Sequence, residues 1–262
     1  MIRAVLFDLG GTLHLCSTDE ERKLWFARRL ISRLGEYGIR LEITAEELSS
    51  QLQRNAEIYK KAAEESLREL DPEIVWNDYF LKEQALGRET LRPMAEELSF
   101  LYDYERVCNL RRPRLTETLE ELRGMGLRMG VISNILSRTI VPHFLAEYGL
   151  EGYMECVLTS AGTGIRKPDP AIFRLAEQAM GLKPEELVYV GDTLSRDVRG
   201  VRNAGWHAVI QIWSPNAAKR DAGLAEQGYR ADYNIREFSE IPDIIRKEMG
   251  GFPVAPQTPF GE

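Results

Sequence analysis

An apolar run from Ala4 to Phe7 delivers Asp8 into Leu9-Gly10-Gly11-Thr12-Leu13. A carboxylate at the end of a strand can attack an electrophile or bind a metal, and glycines beside it let a ligand approach the backbone. A Gly-rich turn is also an ordinary way to leave a sheet, so this segment alone leaves both readings open. Three later segments add to it. Met129-Gly130-Val131-Ile132 ends in Ser133-Asn134; Arg166-Lys167-Pro168-Asp169-Pro170 opens a helix; Leu187-Val188-Tyr189-Val190 ends in Gly191-Asp192, with Asp197 following. A nucleophile, a hydroxyl donor, a cation and an acidic pair are the parts phosphoryl transfer needs. Each has a plain alternative. Asp192 and Asp197 could cap the helix after Gly191, and a lone Lys167 would be a solvated surface lysine. Ser133 is no nucleophile, because it lacks a Gly-x-Ser-x-Gly setting and the three histidines give no triad pattern.

The elements that must position these residues alternate. Helices are expected near 115–125, 138–148, 170–180 and 196–204, with strands ending at Ser133 and spanning 156–159, 187–190 and 208–212. Short apolar strands separated by helices predict a Rossmann-like, doubly wound parallel sheet, α/β in class, with ligands gathered beyond the carboxyl ends of its strands. From about Asp19 to Tyr104 the pattern is instead almost wholly helical. Thr44-Ala45-Glu46-Glu47 has the spacing of a capping box for a helix running towards Leu70, and Asp71-Pro72 starts another.

With 262 residues the chain can bury a sizeable core and form two domains. Its composition, 44% hydrophobic and 29% charged, is that of a soluble globular protein, and no apolar run is long enough to span a bilayer. No secretory signal pattern precedes Asp8, so a cytoplasmic location is expected. Cys16, Cys108 and Cys156 are too scattered for a disulfide framework or zinc site. A net charge of −7 argues against an extended nucleic-acid interface, while a small phosphorylated substrate needs only a local cation and aligned N–H donors. The composition is silent on oligomeric state.

In order and type, the motifs around Asp8, Ser133, Lys167 and Asp192 resemble the haloacid dehalogenase-like hydrolase superfamily, which includes many Mg²⁺-dependent phosphatases. The resemblance covers the start of the chain and roughly 112–232, and it implies a core domain from residues 1–15 and 108–249. Residues 16–107 would be an all-helical cap inserted after the first strand, with 250–262 a tail. It further implies that Asp8 attacks phosphorus to form an aspartyl-phosphate, with Ser133 and Lys167 stabilising the transferring group. Phosphate would be held by Asp8, Leu9, Gly10, Ser133, Asn134 and Lys167. Mg²⁺ would be held by Asp8, the Gly10 carbonyl and Asp192, with Asp197 orienting the ligands. The expected activity is hydrolysis of a small phosphorylated metabolite, with selectivity carried by the cap.

One position departs from the pattern. Most phosphatases of this superfamily carry a second aspartate two residues after the nucleophile, where this chain has Gly10. The lost acid-base group is worth about 10² to 10⁴ in rate. A substrate with a good leaving group, such as an acyl or anomeric sugar phosphate, would tolerate the loss; alternatively a cap residue or His14 replaces it. Other outcomes are phosphonate cleavage through a cap lysine, nominally Lys60 or Lys61, and a catalytically weak or inactive phosphate- or partner-binding protein. Dehalogenation fits less well, because the acidic pair is retained. Leu24, Trp25, Leu30, Ile58, Tyr59, Trp76, Tyr79 and Phe80 are expected to form the cap's core, and Arg54 or Lys60 are nominal contacts for a second anionic group. Hinges are expected near 14–18 and 106–112.

Overall fold

The structure is a computed structural model and describes residues 1–221, 223–224 and 228–250; the expected tail beyond Gly250 lies outside the described residues. The chain begins with β1 (Ala4–Phe7), turns into β2 (His14–Ser17), and enters a helical block. That block comprises α1 (Glu20–Glu36), α2 (Ala45–Ser66), α3 (Pro72–Ile74), α4 (Arg88–Leu91) and α5 (Ala95–Tyr104). It returns through β3 (Cys108–Arg111), then alternates α6 (Leu115–Gly124), β4 (Arg128–Ser133), α7 (Ile140–Glu147), β5 (Cys156–Thr159), α8 (Ser160–Thr163) and α9 (Pro170–Met180). The remaining elements are β6 (Leu187–Gly191), α10 (Arg199–Ala204), β7 (Ala208–Ile212), α11 (Pro215–Arg220), β8 (Tyr233–Ile235) and α12 (Ile241–Glu248).

Six of these strands make one parallel sheet in the order β5-β4-β1-β6-β7-β8. Every residue of β1 and β6 is buried, so these strands read as continuous apolar runs because helices cover both faces of the sheet. Successive side chains still point to opposite faces. Val5 and Phe7 join Leu119, Phe144 and Phe238 on one side, and Ala4 and Leu6 join Phe173, Tyr189 and Trp206 on the other. Phe7 pairs with both Val131 and Val190, which sets the ends of β1, β4 and β6 side by side. The chain runs outward from β1 through β4 and β5, then crosses back to β6. Its order reverses at β1, where ligands of open α/β sheets bind.

The helical block has its own apolar core around Phe26, Leu30, Trp76, Phe80 and Tyr102. Its helices start where the sequence signals them: Asp19 accepts from the Arg22 N–H, and Thr44 and Glu47 form the capping box. Of the residues expected in that core, Trp25 and Ile58 are 43% and 49% exposed. The Arg22 guanidinium instead lies 4.8 Å over the Trp25 ring.

Several boundaries differ from expectation for tertiary reasons. α2 stops at Ser66 rather than near Leu70, because Leu67 turns to φ 56° and Arg68 pairs with Ile165 across from the sheet domain. α7 starts at Ile140 rather than Arg138, since Glu96 takes the N–H groups of Arg138 and Thr139. β2 and β3 form an antiparallel pair not foreseen from sequence, straddling the expected boundary at residue 16 and forming a two-stranded neck where hinges were expected. No helix is long and apolar enough to cross a membrane among the described residues.

Candidate active site

Asp8 follows β1, Ser133 ends β4, Lys167 lies in the loop before α9, and Asp192 follows β6. The fold brings them together at one end of the sheet. The Asp8 carboxylate Oδ1 accepts from Ser133 Oγ at 2.9 Å and lies 2.9 Å from Lys167 Nζ. Lys167 Nζ also donates to Asp197 Oδ1 at 2.7 Å and to the Tyr189 hydroxyl at 2.8 Å, and that hydroxyl donates to the Ile132 carbonyl. The loop carrying Lys167 is fixed by Asn134, whose side chain accepts from the Lys167 N–H and donates to its carbonyl, each at 2.9 Å. Lys167 is thus a buried cation with all three donors directed, not a solvated lysine.

Asp197 has both oxygens engaged. Oδ1 faces Lys167, and Oδ2 accepts from the Thr193 N–H at 2.9 Å and its hydroxyl at 2.6 Å. Thr193, not Asp192, caps the turn that follows, a wide helical turn over Leu194–Val198 leading into α10. The Asp192 carboxylate accepts from Ser214 at 2.6 Å instead. Asp8, Asp192 and Asp197 each place an oxygen within 4.8 Å of the others, and all three are buried. The backbone crowds them: a Cβ at Gly11, whose φ is +91°, would sit 1.9 Å from Asp192 Oδ2, and one at Gly191 would sit 2.4 Å from Asp197 Cγ.

Three buried carboxylates around one ammonium leave uncompensated negative charge, and the titration of the group reflects it. Burial pushes Asp8 up against the pull of Lys167. Asp192 rises to about 7, by burial and then by the charges of Asp197 and Asp8. For Asp197 burial also acts upwards, but Lys167 and Thr193 outweigh it and hold the carboxyl below its ordinary value. Lys167 is disfavoured as a cation by burial, yet Asp197 and Asp8 raise it. An all-oxygen donor set with excess negative charge fits a hard divalent cation such as Mg²⁺. The N–H groups of Gly10 and Asn134 find no backbone acceptor among the described residues, which leaves them available to an anion.

Arg112 has no functional signature in the sequence. Buried beneath the 9–13 loop, it donates to the carbonyls of Gly11, Thr12 and Trp213 at 2.6, 2.9 and 2.7 Å, tying the Asp8 loop to β3 and β7. His14 packs against Phe144 and pairs its Nδ1 with the Tyr148 hydroxyl at 3.1 Å. Burial lowers its pKa to about 4, which disfavours the protonated ring at neutral pH. That makes His14 a poor general acid. Lys60 and Lys61 pair with Glu57 and Glu65 on α2, and Lys167 is the only lysine among the described residues that lines the cavity over Asp8. That cavity, of about 220 Å³, is walled by Asp8, Ser133, Lys167 and Asp192 from the sheet and by Tyr102 and Asp103 from the helical block.

Residues 2–205 match the model of the haloacid dehalogenase-like hydrolases. A glyceraldehyde 3-phosphate phosphatase of Methanopyrus kandleri is 28% identical over 250 residues, 94% of this chain and 98% of that protein. A ribulose-1,5-bisphosphate 5-phosphatase of Halopiger xanaduensis is 34% identical over 134 residues, 51% of this chain and 56% of that protein. The crystal structure of a HAD phosphatase from Thermococcus onnurineus superposes with a TM-score of 0.58 at 26% identity, covering 97% of this chain and 100% of that one. With a family match spanning most of its length over the acidic site at the sheet's switch point, the chain belongs to the haloacid dehalogenase-like hydrolases.

Proposed function

We propose that the protein is a Mg²⁺-dependent phosphatase of small phosphorylated metabolites, working through an aspartyl-phosphate on Asp8. The observation that carries this reading is the Asp8 carboxylate, held by Ser133 and Lys167 at the floor of a small cavity beside two further acids. The relatives named as phosphatases support it. In this reading one carboxylate oxygen of Asp8 bonds to phosphorus as the ester oxygen leaves, and water then attacks the same phosphorus to release phosphate and restore Asp8. Ser133 and the N–H groups of Leu9, Gly10 and Asn134 bind the equatorial oxygens, and Lys167 neutralises their charge. Asp8, the Gly10 carbonyl and Asp192 would hold the Mg²⁺, whose charge offsets the repulsion between carboxylate and phosphate. Asp197 anchors Lys167 and the Thr193 turn.

Residues 1–15 and 108–249 would act as the catalytic core, and 16–107 as a cap that excludes water and selects the substrate. With Gly10 where an acid would stand and His14 neutral, the reading favours leaving groups that depart with little protonation. The test is phosphate release from aryl, acyl, anomeric sugar and alkyl phosphates, with and without Mg²⁺. Turnover should require the metal, fall at least about 10³-fold in Asp8→Asn, and favour the better leaving groups. Equal turnover by Asp8→Asn would sink the proposal.

A further inference from the structure

The cavity over Asp8 continues beneath α2 and α5 into a second hollow of about 310 Å³. Arg106, Arg196 and Arg220 line both spaces, coming respectively from just after α5, from the turn before α10 and from the end of α11. The hollow is basic in balance. Five basic side chains line it, these three with Arg166 and Lys60, against the carboxylates of Asp103 and Glu57. Three of the five already have partners: Arg166 pairs with Glu69, Arg196 with Glu64 and Lys60 with Glu57. Asp103 directs one oxygen to the N–H groups of Leu136 and Ser137, both at 2.9 Å.

The guanidinium groups are also incompletely bonded. The Nε atoms of Arg106 and Arg196 are buried without a hydrogen-bond partner among the described residues. The Arg106 guanidinium lies 4.2 Å over the Tyr102 ring, which orients it. Arg220, exposed at the end of α11, lies near the like charge of Arg196 and near the carboxylates of Asp192, Glu64 and Asp221. Buried donors without acceptors cost stability. An anionic ligand would supply what both lack.

We propose that Arg106, Arg196 and Arg220 form a second-anion subsite, so that the substrate is a phosphomonoester carrying a further anionic group, a carboxylate or a second phosphate. This inference rests on the phosphatase reading for the word substrate, but the subsite can be tested without turnover. Arginine forks bind both groups bidentately, and the joined hollows suit a short carbon skeleton better than a protein or nucleic acid. Arg54, one of the cations nominated from sequence, is exposed on α2 and does not line the hollow, while Lys60, the other, lines it paired with Glu57.

The experiment is calorimetric titration of the full chain, in Mg²⁺, with three non-hydrolysable ligands of one skeleton: propylphosphonate, 2-carboxyethylphosphonate and propane-1,3-bisphosphonate. The second anion should tighten Kd by about tenfold or more. A gain for the carboxylate alone, or for the bisphosphonate alone, assigns the group recognised. Arg106→Gln with Arg220→Gln should erase the gain while leaving propylphosphonate affinity within about twofold, which also shows that the variant is folded. Equal affinity for all three ligands, or a gain that survives the double variant, overturns the subsite. If the gain is present but no phosphate ester is hydrolysed, the subsite stands and the phosphatase reading fails.

Discussion

Gly10 and Gly11 are adjacent glycines with opposite consequences. A Cβ at Gly10 would meet Cys16 Sγ at 3.4 Å and His14 Nε2 at 4.0 Å, ordinary contact distances, so a side chain can be accommodated there. Gly10→Asp should therefore fold and supply the missing proton donor, raising turnover of alkyl phosphates by about 10² to 10⁴ while changing aryl phosphates far less. The ratio of kcat for the two ester classes is the readout. An unchanged ratio would show that another group already provides the proton. At Gly11 a Cβ would overlap Asp192 Oδ2 at 1.9 Å on a backbone with φ +91°. Gly11→Ala should displace Asp192 and weaken Mg²⁺ binding by about tenfold or more, measured by metal titration of turnover.

At the scale of elements, the segment between α2 and α3 joins the helical block to the sheet domain. Glu69 is buried there and accepts from Arg166, from Tyr59 and, at 2.5 Å, from Ser160. The adjoining backbone adds Glu69 N–H to the Gly164 carbonyl and Arg166 N–H to the Leu67 carbonyl, both at 3.1 Å. Removing Glu69 strands the Arg166 guanidinium, which has little access to water. Glu69→Ala should cost about 3 to 5 kcal/mol, whereas Lys61→Ala, which loses only an exposed pair on α2, should change stability by less than about 1 kcal/mol. Urea unfolding of the two variants distinguishes them, and equal midpoints would contradict the assigned role of Glu69.

Across the whole molecule, acids of the helical block meet N–H groups and arginines of the sheet domain. Glu64 reaches Arg196, Asp71 reaches Arg138, and Glu96 and Asp103 take the N–H groups of the loop between β4 and α7. Burial raises the Asp103 carboxyl from 3.8 to about 7, with the Ser137 and Leu136 N–H groups and Arg106 opposing the rise and Glu69 adding to it. Between those values the folded chain keeps a proton that the unfolded chain has released, so this group makes stability fall as pH rises through the window and level off above it. The slope is at most on the order of 1.4 kcal/mol per pH unit. Asp103→Asn retains an oxygen for the two N–H groups and removes the titration. Unfolding at about pH 4.5 and pH 7, in the presence of a chelator, should show a shallower decline in the variant than in the parent chain; parallel declines would refute the assignment.

The sequence by itself determined five of the six strands of the sheet, missing β8, and singled out the residues that gather at one end of it. Strands 156–159 and 208–212 and the helix 170–180 occur where the apolar runs and the Asp169-Pro170 start place them, because a short β-branched run and a Pro at the first helical position are local signals. Asp8, Ser133 and Asp192 were legible because each ends or follows such a run, and Lys167 because it stands directly before Pro168-Asp169-Pro170. What only the tertiary structure decided is how distant segments meet. The β2–β3 neck is four residues a side and partly exposed, too short for a pattern. Helix limits at Ser66 and Ile140 were set by partners from the other half of the chain. Arg106, Arg112, Arg196 and Arg220 carry no local signature, since an arginine turned towards solvent and one turned into a cavity look alike in sequence until the fold encloses one of them.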